Sequence, residues 1–139
     1  NLSGPFYCCR AVSEGMKSRH SGSIINISSI SGAMATGGSV AYNSSKAALN
    51  MMTKVLAMEW AGYNISVNAI GPGWFETNMS KNSLKTPEQR AKAKEGIPMG
   101  RLTDLRDLGL LAVYLASPAA EWMTGQVIYL DGGETGAFL

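Results

Sequence analysis

Tyr42-Asn43-Ser44-Ser45-Lys46 sets a phenol and an ammonium four residues apart. On a helix that spacing puts both on one face, a single turn from each other. A free phenol, with its pKa near 10, is a poor acid–base group in neutral water; an adjacent ammonium favours the phenolate and lowers that value. Tyr-x-x-x-Lys is therefore a way to make a proton donor that works near or a little above neutral pH. The spacing alone is common, since five Tyr and seven Lys in 139 positions produce about 0.25 chance pairs. A competing reading makes Tyr42 an aromatic at a helix start and Lys46 a solvated charge. Ser29 stands thirteen residues before Tyr42, just past a β-branched run, where open α/β sheets place their ligand crevice. Ser28 and Ser29 are also residue types that cap the start of a loop.

The elements that must hold these groups alternate in type. Residues 2–17 carry a mixed apolar pattern and stop at the polar run ending in Gly22. Residues 23–28 (SIINIS) read as a buried strand, and residues 29–40, with three Gly and four Ser or Thr, as a flexible loop. Residues 41–61 contain no Gly or Pro and are rich in Ala, Leu, Met and Lys, which predicts a helix closed by Gly62. On that helix Ala48, Met52 and Val55 are expected to cover the sheet, leaving Leu49, Leu56 and Trp60 as a second apolar stripe for association. A second strand spans 65–70 and stops at Gly71-Pro72-Gly73. Thr86-Pro87-Glu88-Gln89 predicts a cap and a short helix to about Gly96. Another helix is predicted over 103–117, with Leu105, Leu108, Leu111, Ala112 and Leu115 on one stripe, and a third strand over 126–130. Strand, helix, strand, helices, strand implies parallel pairing through right-handed crossovers, an α/β layered sheet.

Composition narrows the function classes. Only 16% of residues are charged against about 25% in ordinary soluble domains, and the net charge is +2, so a nucleic-acid arm or a disordered chain is excluded. The longest apolar run, residues 108–116, is half of what a membrane span needs, and residues 1–5 have neither the basic start nor the apolar stretch of a secretory leader. Adjacent Cys8 and Cys9 form no disulfide framework and read as helix packing in a reducing, cytoplasmic setting. His20, the one His, reads as a surface turn residue, and no His/Cys/Asp cluster suggests a metal. There is no G-x-G-x-x-G turn to seat a pyrophosphate, and three strands make a thin sheet. The expectation is the C-terminal portion of a Rossmann-like doubly wound parallel sheet, one partial domain over 1–139, without the Gly-rich half and inactive by itself.

Five segments carry a family resemblance: Asn1-Leu2-Ser3-Gly4; Ile25-Asn26-Ile27-Ser28-Ser29; Tyr42 to Lys46; Val67-Asn68-Ala69-Ile70 with Gly71-Pro72-Gly73; and Thr124-Gly125 leading to Leu130-Asp131-Gly132-Gly133. In this order, and across essentially the whole chain, they resemble the short-chain dehydrogenase/reductase family. The resemblance implies a catalytic set of Asn1, Ser29, Tyr42 and Lys46. Tyr42 would be acid in carbonyl reduction and base in alcohol oxidation. Lys46 would hold the nicotinamide ribose, Ser29 would orient the substrate oxygen, and Asn1 would sustain a water link to the lysine. Pro72, Gly73, Phe75 and Thr77 match the turn that meets the nicotinamide of NAD or NADP, with Thr77 equally able to cap the next segment. Residues 74–100 match a substrate lid.

The implied function is an NAD(P)-dependent oxidoreductase interconverting a secondary alcohol and a carbonyl. The stretch from Glu59 to Thr77 looks most like members acting on sugar acids and polyols, such as gluconate 5-dehydrogenase. The alternatives are a 3-oxoacyl-carrier-protein reductase and, of another class, a non-catalytic binding or scaffold member. The resemblance also implies a homodimer or homotetramer built through helix bundles and the last strand.

Overall fold

The computed structural model describes residues 1–138. Helix α1 (Ser3–Ser18) leads into strand β1 (Gly22–Ile27); α2 (Val40–Trp60) then returns the chain to β2 (Ile65–Pro72). A long connection holding α3 (Pro87–Glu95) precedes α4 (Leu105–Ala116), and β3 (Val127–Leu130) closes the sheet. The strands lie in the order β1-β2-β3 and pair in parallel, Ile27 opposite Ile70 and Ile70 opposite Ile128. The α/β reading holds, and each predicted element is present within a residue or two of its expected bounds.

Strand β2 is the centre of the molecule. Val67, Asn68, Ala69 and Ile70 are fully buried because helices cover both faces of a parallel sheet. On one face Ile65 and Val67 pack with Cys9 of α1 and Leu56, Ala57 and Trp60 of α2. On the other, Ile70 packs with Leu115 and Ala120, and Leu108, Leu111 and Ile128 lie against them. The buried Asn68 ties in the last strand: its amide donates to Met123 O (2.7 Å) and its oxygen accepts from Gln126 N (3.0 Å). Thr124 Oγ1 accepts from Val67 N at 3.0 Å, so the Val67-Asn68-Ala69 and Thr124-Gly125 segments form one seam.

Several details depart from the expectations. The stripes of α2 are largely exchanged: Leu49, Leu56 and Trp60 are buried at 1%, 6% and 7% exposure and Val55 is 45% exposed, while half-buried Met52 does pack against the sheet-side core as expected. Two apolar stripes were available, and the angle at which the β1–α2 connection lays the helix on the sheet chose between them. Leu105, the first residue of α4, points to solvent, and Asp104 Oδ1 caps that helix at Arg106 N (2.8 Å). The left-handed residue after α2 is Asn64, with φ 55°, rather than Gly62. Thr86 and Gln89 make the expected capping box, with Pro87 at the first helical position. Among the described residues no helix is long and apolar enough to cross a membrane.

Candidate active site

The chemistry-bearing residues gather where the strands end. Tyr42 and Lys46 lie in the first two turns of α2, and the Lys46 ammonium sits 5.7 Å from the Tyr42 ring centroid. Lys46 Nζ also donates to the carbonyl oxygen of Ile27 at 2.8 Å, at the C-terminal end of β1. One of three ammonium donors is thereby engaged and two are left to face a ligand. Burial pushes the Lys46 ammonium below the ordinary lysine range, because desolvation disfavours the charged form.

Ser28 and Ser29 follow β1 directly and have different tasks. Ser28 N donates to Ile70 O at 2.7 Å, continuing the sheet pairing, and Ser28 Oγ donates to Asn50 Oδ1. Ser29 Oγ accepts from Ser31 N at 3.1 Å and caps the single 3-10 turn Ile30–Gly32. Capping uses a lone pair, so the Ser29 hydroxyl proton is left to donate. The loop-start reading and a substrate-facing reading therefore coexist in one side chain.

Asn1 is exposed, and its Nδ2 donates to Ser45 Oγ at 3.1 Å, which in turn donates to Tyr42 O at 2.7 Å. That chain ties the start of α1 to the turn carrying Tyr42. At the end of β2, a Cβ on Gly71 would lie 2.5 Å from the Tyr129 ring and 3.5 Å from the Ser29 carbonyl carbon, so only a glycine brings this strand so close. Gly73 is equally constrained, with Asp131 Cα 2.9 Å from where its Cβ would be, and its N–H donates to Leu130 O at 3.0 Å. Phe75 is buried, its backbone pairs with Thr103, and its N–H finds no acceptor among the described residues. Thr77 is exposed, and its polar contacts are all with Ser80: it caps the turn that starts the long connection.

Outside this cluster, Cys9 is buried beside Asn26, and Cys8 is exposed. His20 is an exposed turn residue with φ 50° whose carbonyl accepts from Asn64 Nδ2 at 3.2 Å. A concavity of about 770 Å³ opens at the opposite end of the sheet, among Ser21, Ile65, Ser117 and Trp122, and carries none of the residues around Tyr42. Two buried groups near the site escaped the sequence reading. Asn50, one turn beyond Lys46, bonds to Ser28 and to Tyr129 OH (3.3 Å). Asp131 accepts from Gly133 N, Thr135 N and Thr135 Oγ1, beside Glu134. The signal for Asn50 was a polar residue at the i+4 and i+8 positions from Lys46 and Tyr42, on the same helix face.

The order of these motifs has close parallels. Residues 1–135 match the family described as enoyl-(acyl carrier protein) reductase. The chain belongs to the short-chain dehydrogenase/reductase family. It is 41% identical over 134 residues to a 3-oxoacyl-[acyl-carrier-protein] reductase of Thermotoga maritima, covering 96% of this chain and 53% of that protein. It is 37% identical over 137 residues to galactitol 2-dehydrogenase (L-tagatose-forming) of Cereibacter sphaeroides, covering 97% and 54%. Among solved structures, the gluconate 5-dehydrogenase of Burkholderia cenocepacia J2315, in complex with NADP and tartrate, superposes with a TM-score of 0.95 at 34% identity, over 98% of this chain and 53% of that one. The chain thus spans about half the length of the relatives it matches.

Proposed function

We propose that this chain carries the proton-transfer site of an NAD(P)-dependent oxidoreductase that interconverts a secondary alcohol and a carbonyl. The observation that carries the reading is the Lys46 ammonium, fixed on Ile27 O and set 5.7 Å from the Tyr42 ring. Its two remaining donors suit a ribose diol, and the Phe75 N–H, without an acceptor among the described residues, suits a carboxamide. When bound, a nicotinamide dinucleotide supplies or accepts the hydride at the carbonyl carbon. Tyr42 donates the proton to the substrate oxygen in reduction and takes it back in oxidation. The Ser29 hydroxyl orients that oxygen by donating to it, and the Lys46 charge stabilises the negative charge left on the Tyr42 oxygen. Asn1, through Ser45, holds the start of α1 against this turn. Pro72 and Gly73 shape the floor, while Thr77 acts through its cap on Ser80. Residues 74–100 form the substrate lid, anchored by the buried Phe75, Leu84 and Ile97.

The preferred substrate is a polyhydroxylated acid or polyol, supported by the likeness to gluconate and galactitol dehydrogenases. The likeness to 3-oxoacyl-[acyl-carrier-protein] reductases supports a second reading, reduction of a 3-oxoacyl thioester. A non-catalytic role is disfavoured by Asn1, Ser29, Tyr42 and Lys46 all being retained together. Exposed Tyr7, Val12, Met51 and Met58 on α1 and α2 support a homo-oligomer packed through these helices, and the two free cysteines support a reducing, cytoplasmic setting. The test is the full-length protein, in which a Gly-rich dinucleotide-binding half is expected, assayed with NADP and with NAD against hexonates, polyols and a 3-oxoacyl thioester. Dinucleotide reduction driven by the hydroxylated substrates is expected. Turnover of the thioester alone would transfer the assignment to the second reading, and binding of dinucleotide without any hydride transfer would leave only a non-catalytic role.

A further inference from the structure

The two residues that bracket Ser29 are held by one side chain. Asn50 lies on α2, one turn past Lys46 and two past Tyr42, and is 8% exposed. Asparagine in a helix interior costs helix propensity, and a buried amide must be satisfied on both ends. Here it is. Ser28 Oγ donates to Asn50 Oδ1, and Asn50 Nδ2 donates to Gly32 O at 3.4 Å and to Tyr129 OH at 3.3 Å. The orientation of the amide is forced, because the Gly32 carbonyl can only accept.

Between the two clamped residues the backbone has little freedom. Ser29 O accepts from Gly32 N at 3.0 Å and Ser29 Oγ from Ser31 N at 3.1 Å, so residues 28–32 form one tight turn. A Cβ on Gly32 would lie 2.6 Å from Asn50 Nδ2 and 3.0 Å from Lys46 O, so the turn lies directly on the Tyr42–Lys46 helix only because residue 32 is glycine. The third partner, Tyr129, presses its ring against Gly71 at the end of β2. One amide thus joins α2, the end of β1, the Ser29 turn and β3.

We propose that Asn50 is the positioning residue that sets the Ser29 hydroxyl against Tyr42 and Lys46, a role that rests on the oxidoreductase reading given above. It touches neither substrate nor cofactor and acts through Ser28 and Gly32. An Asp at this place would set a second acceptor against the Gly32 carbonyl, and a Leu would abandon all three partners. The test is a double-mutant cycle in the full-length protein with Asn50→Leu and Ser29→Ala, read as kcat, as cofactor KM and as melting temperature. Misplacing a group by about 1 Å can cost 10²-fold in rate, so Asn50→Leu is expected to lower kcat by roughly that factor while cofactor KM holds. In the Ser29→Ala background the same change should add less than about threefold, because groups acting as a unit are not additive. Ser28→Ala, which deletes one hydroxyl and keeps the fold, should lower kcat about tenfold if Asn50→Leu does not fold. Multiplicative losses in the double variant, or an unchanged kcat in Ser28→Ala, overturn the positioning role. An unchanged kcat in Ser29→Ala alone overturns the oxidoreductase reading instead, so the two failures are distinguishable.

Discussion

Lys46 Nζ donates to Ile27 O at 2.8 Å, which fixes the ammonium to the last residue of β1, two positions before Ser29. The hydrogen bond converts a flexible four-carbon stem into a rigid strut between the helix that carries Tyr42 and the strand that delivers Ser29. Without it a lysine would lose its usual side-chain entropy on binding a ligand; here that ordering is already complete.

Tyr42→Phe deletes the hydroxyl and leaves the ring. In the full-length protein turnover should fall by at least about 10²-fold, the lower range for losing a general acid. Dinucleotide affinity, measured by fluorescence titration, should stay within about twofold. Wild-type turnover in this variant would remove Tyr42 from its assigned role.

Burial holds the Lys46 ammonium below the ordinary lysine range, so its charge is lost earlier than usual as pH rises. Dinucleotide affinity should therefore weaken on the alkaline side, through the lowered value, in the wild type. Lys46→Met should bind more weakly at every pH and show no such alkaline limb. A titration series across pH, with unchanged affinity in the variant, would separate Lys46 from the cofactor.

Burial pushes the Asp131 carboxyl up, but hydrogen bonds from Thr135 and Gly133 outweigh it and hold the group below the usual carboxylate range. A depressed folded value stabilises the native state above the unfolded pKa of about 3.9 and loses that contribution as pH falls through the folded value. Asp131→Asn should cost about 1–3 kcal/mol in urea unfolding at pH 7, with the difference shrinking in acid as the wild type is protonated.

Glu134 has the opposite sign. Burial is the main cause that raises its carboxyl, against a lowering hydrogen bond from the Trp74 side chain and with the Asp131 charge adding to the rise, and Oε2 has no partner among the described residues. Stability is then lost as pH rises from the ordinary range, about 4.3, through the raised value. Glu134→Gln should unfold at higher urea than the wild type at pH 7 and match it near pH 4. Lower stability at neutral pH would mean that the Trp74 hydrogen bond to the ionised carboxylate outweighs its burial.

The two faces of α2 should respond differently to the same charge. Leu56→Glu buries an unpaired carboxylate against Ile65 and Val67 and should cost roughly 3 kcal/mol or more, read as a collapse of the melting transition. Val55→Glu, at the exposed face, should shift monomer stability by no more than about 0.5 kcal/mol yet give smaller species by light scattering if copies pack there. Loss of the fold in Val55→Glu would show that this face is covered within the chain.

Local chemistry was legible. The Thr86–Gln89 box, Pro87 at the helix start and the β-branched runs are decided within a few residues, so each formed as expected. Tyr42 and Lys46 could be paired from spacing because 3.6 residues per turn stack positions four apart. Thr77 carries two readings in the sequence, because a threonine hydroxyl serves a local cap and a ligand with equal ease, and in the structure its hydroxyl accepts from Ser80 N.

By itself the sequence determined the alternation of strands and helices, the parallel sheet and the Tyr42–Lys46 pair, since these follow from periodicity and nearest neighbours. Only the tertiary structure decided that Leu49, Leu56 and Trp60 face the sheet, that Lys46 reaches Ile27, and that Asn50 grips both sides of Ser29. Those relations join residues 18 to 22 positions apart on different elements. They depend on the angle and depth at which α2 lies on the sheet, which is set by packing against β2 and by the missing side chain at Gly32 rather than by any local preference.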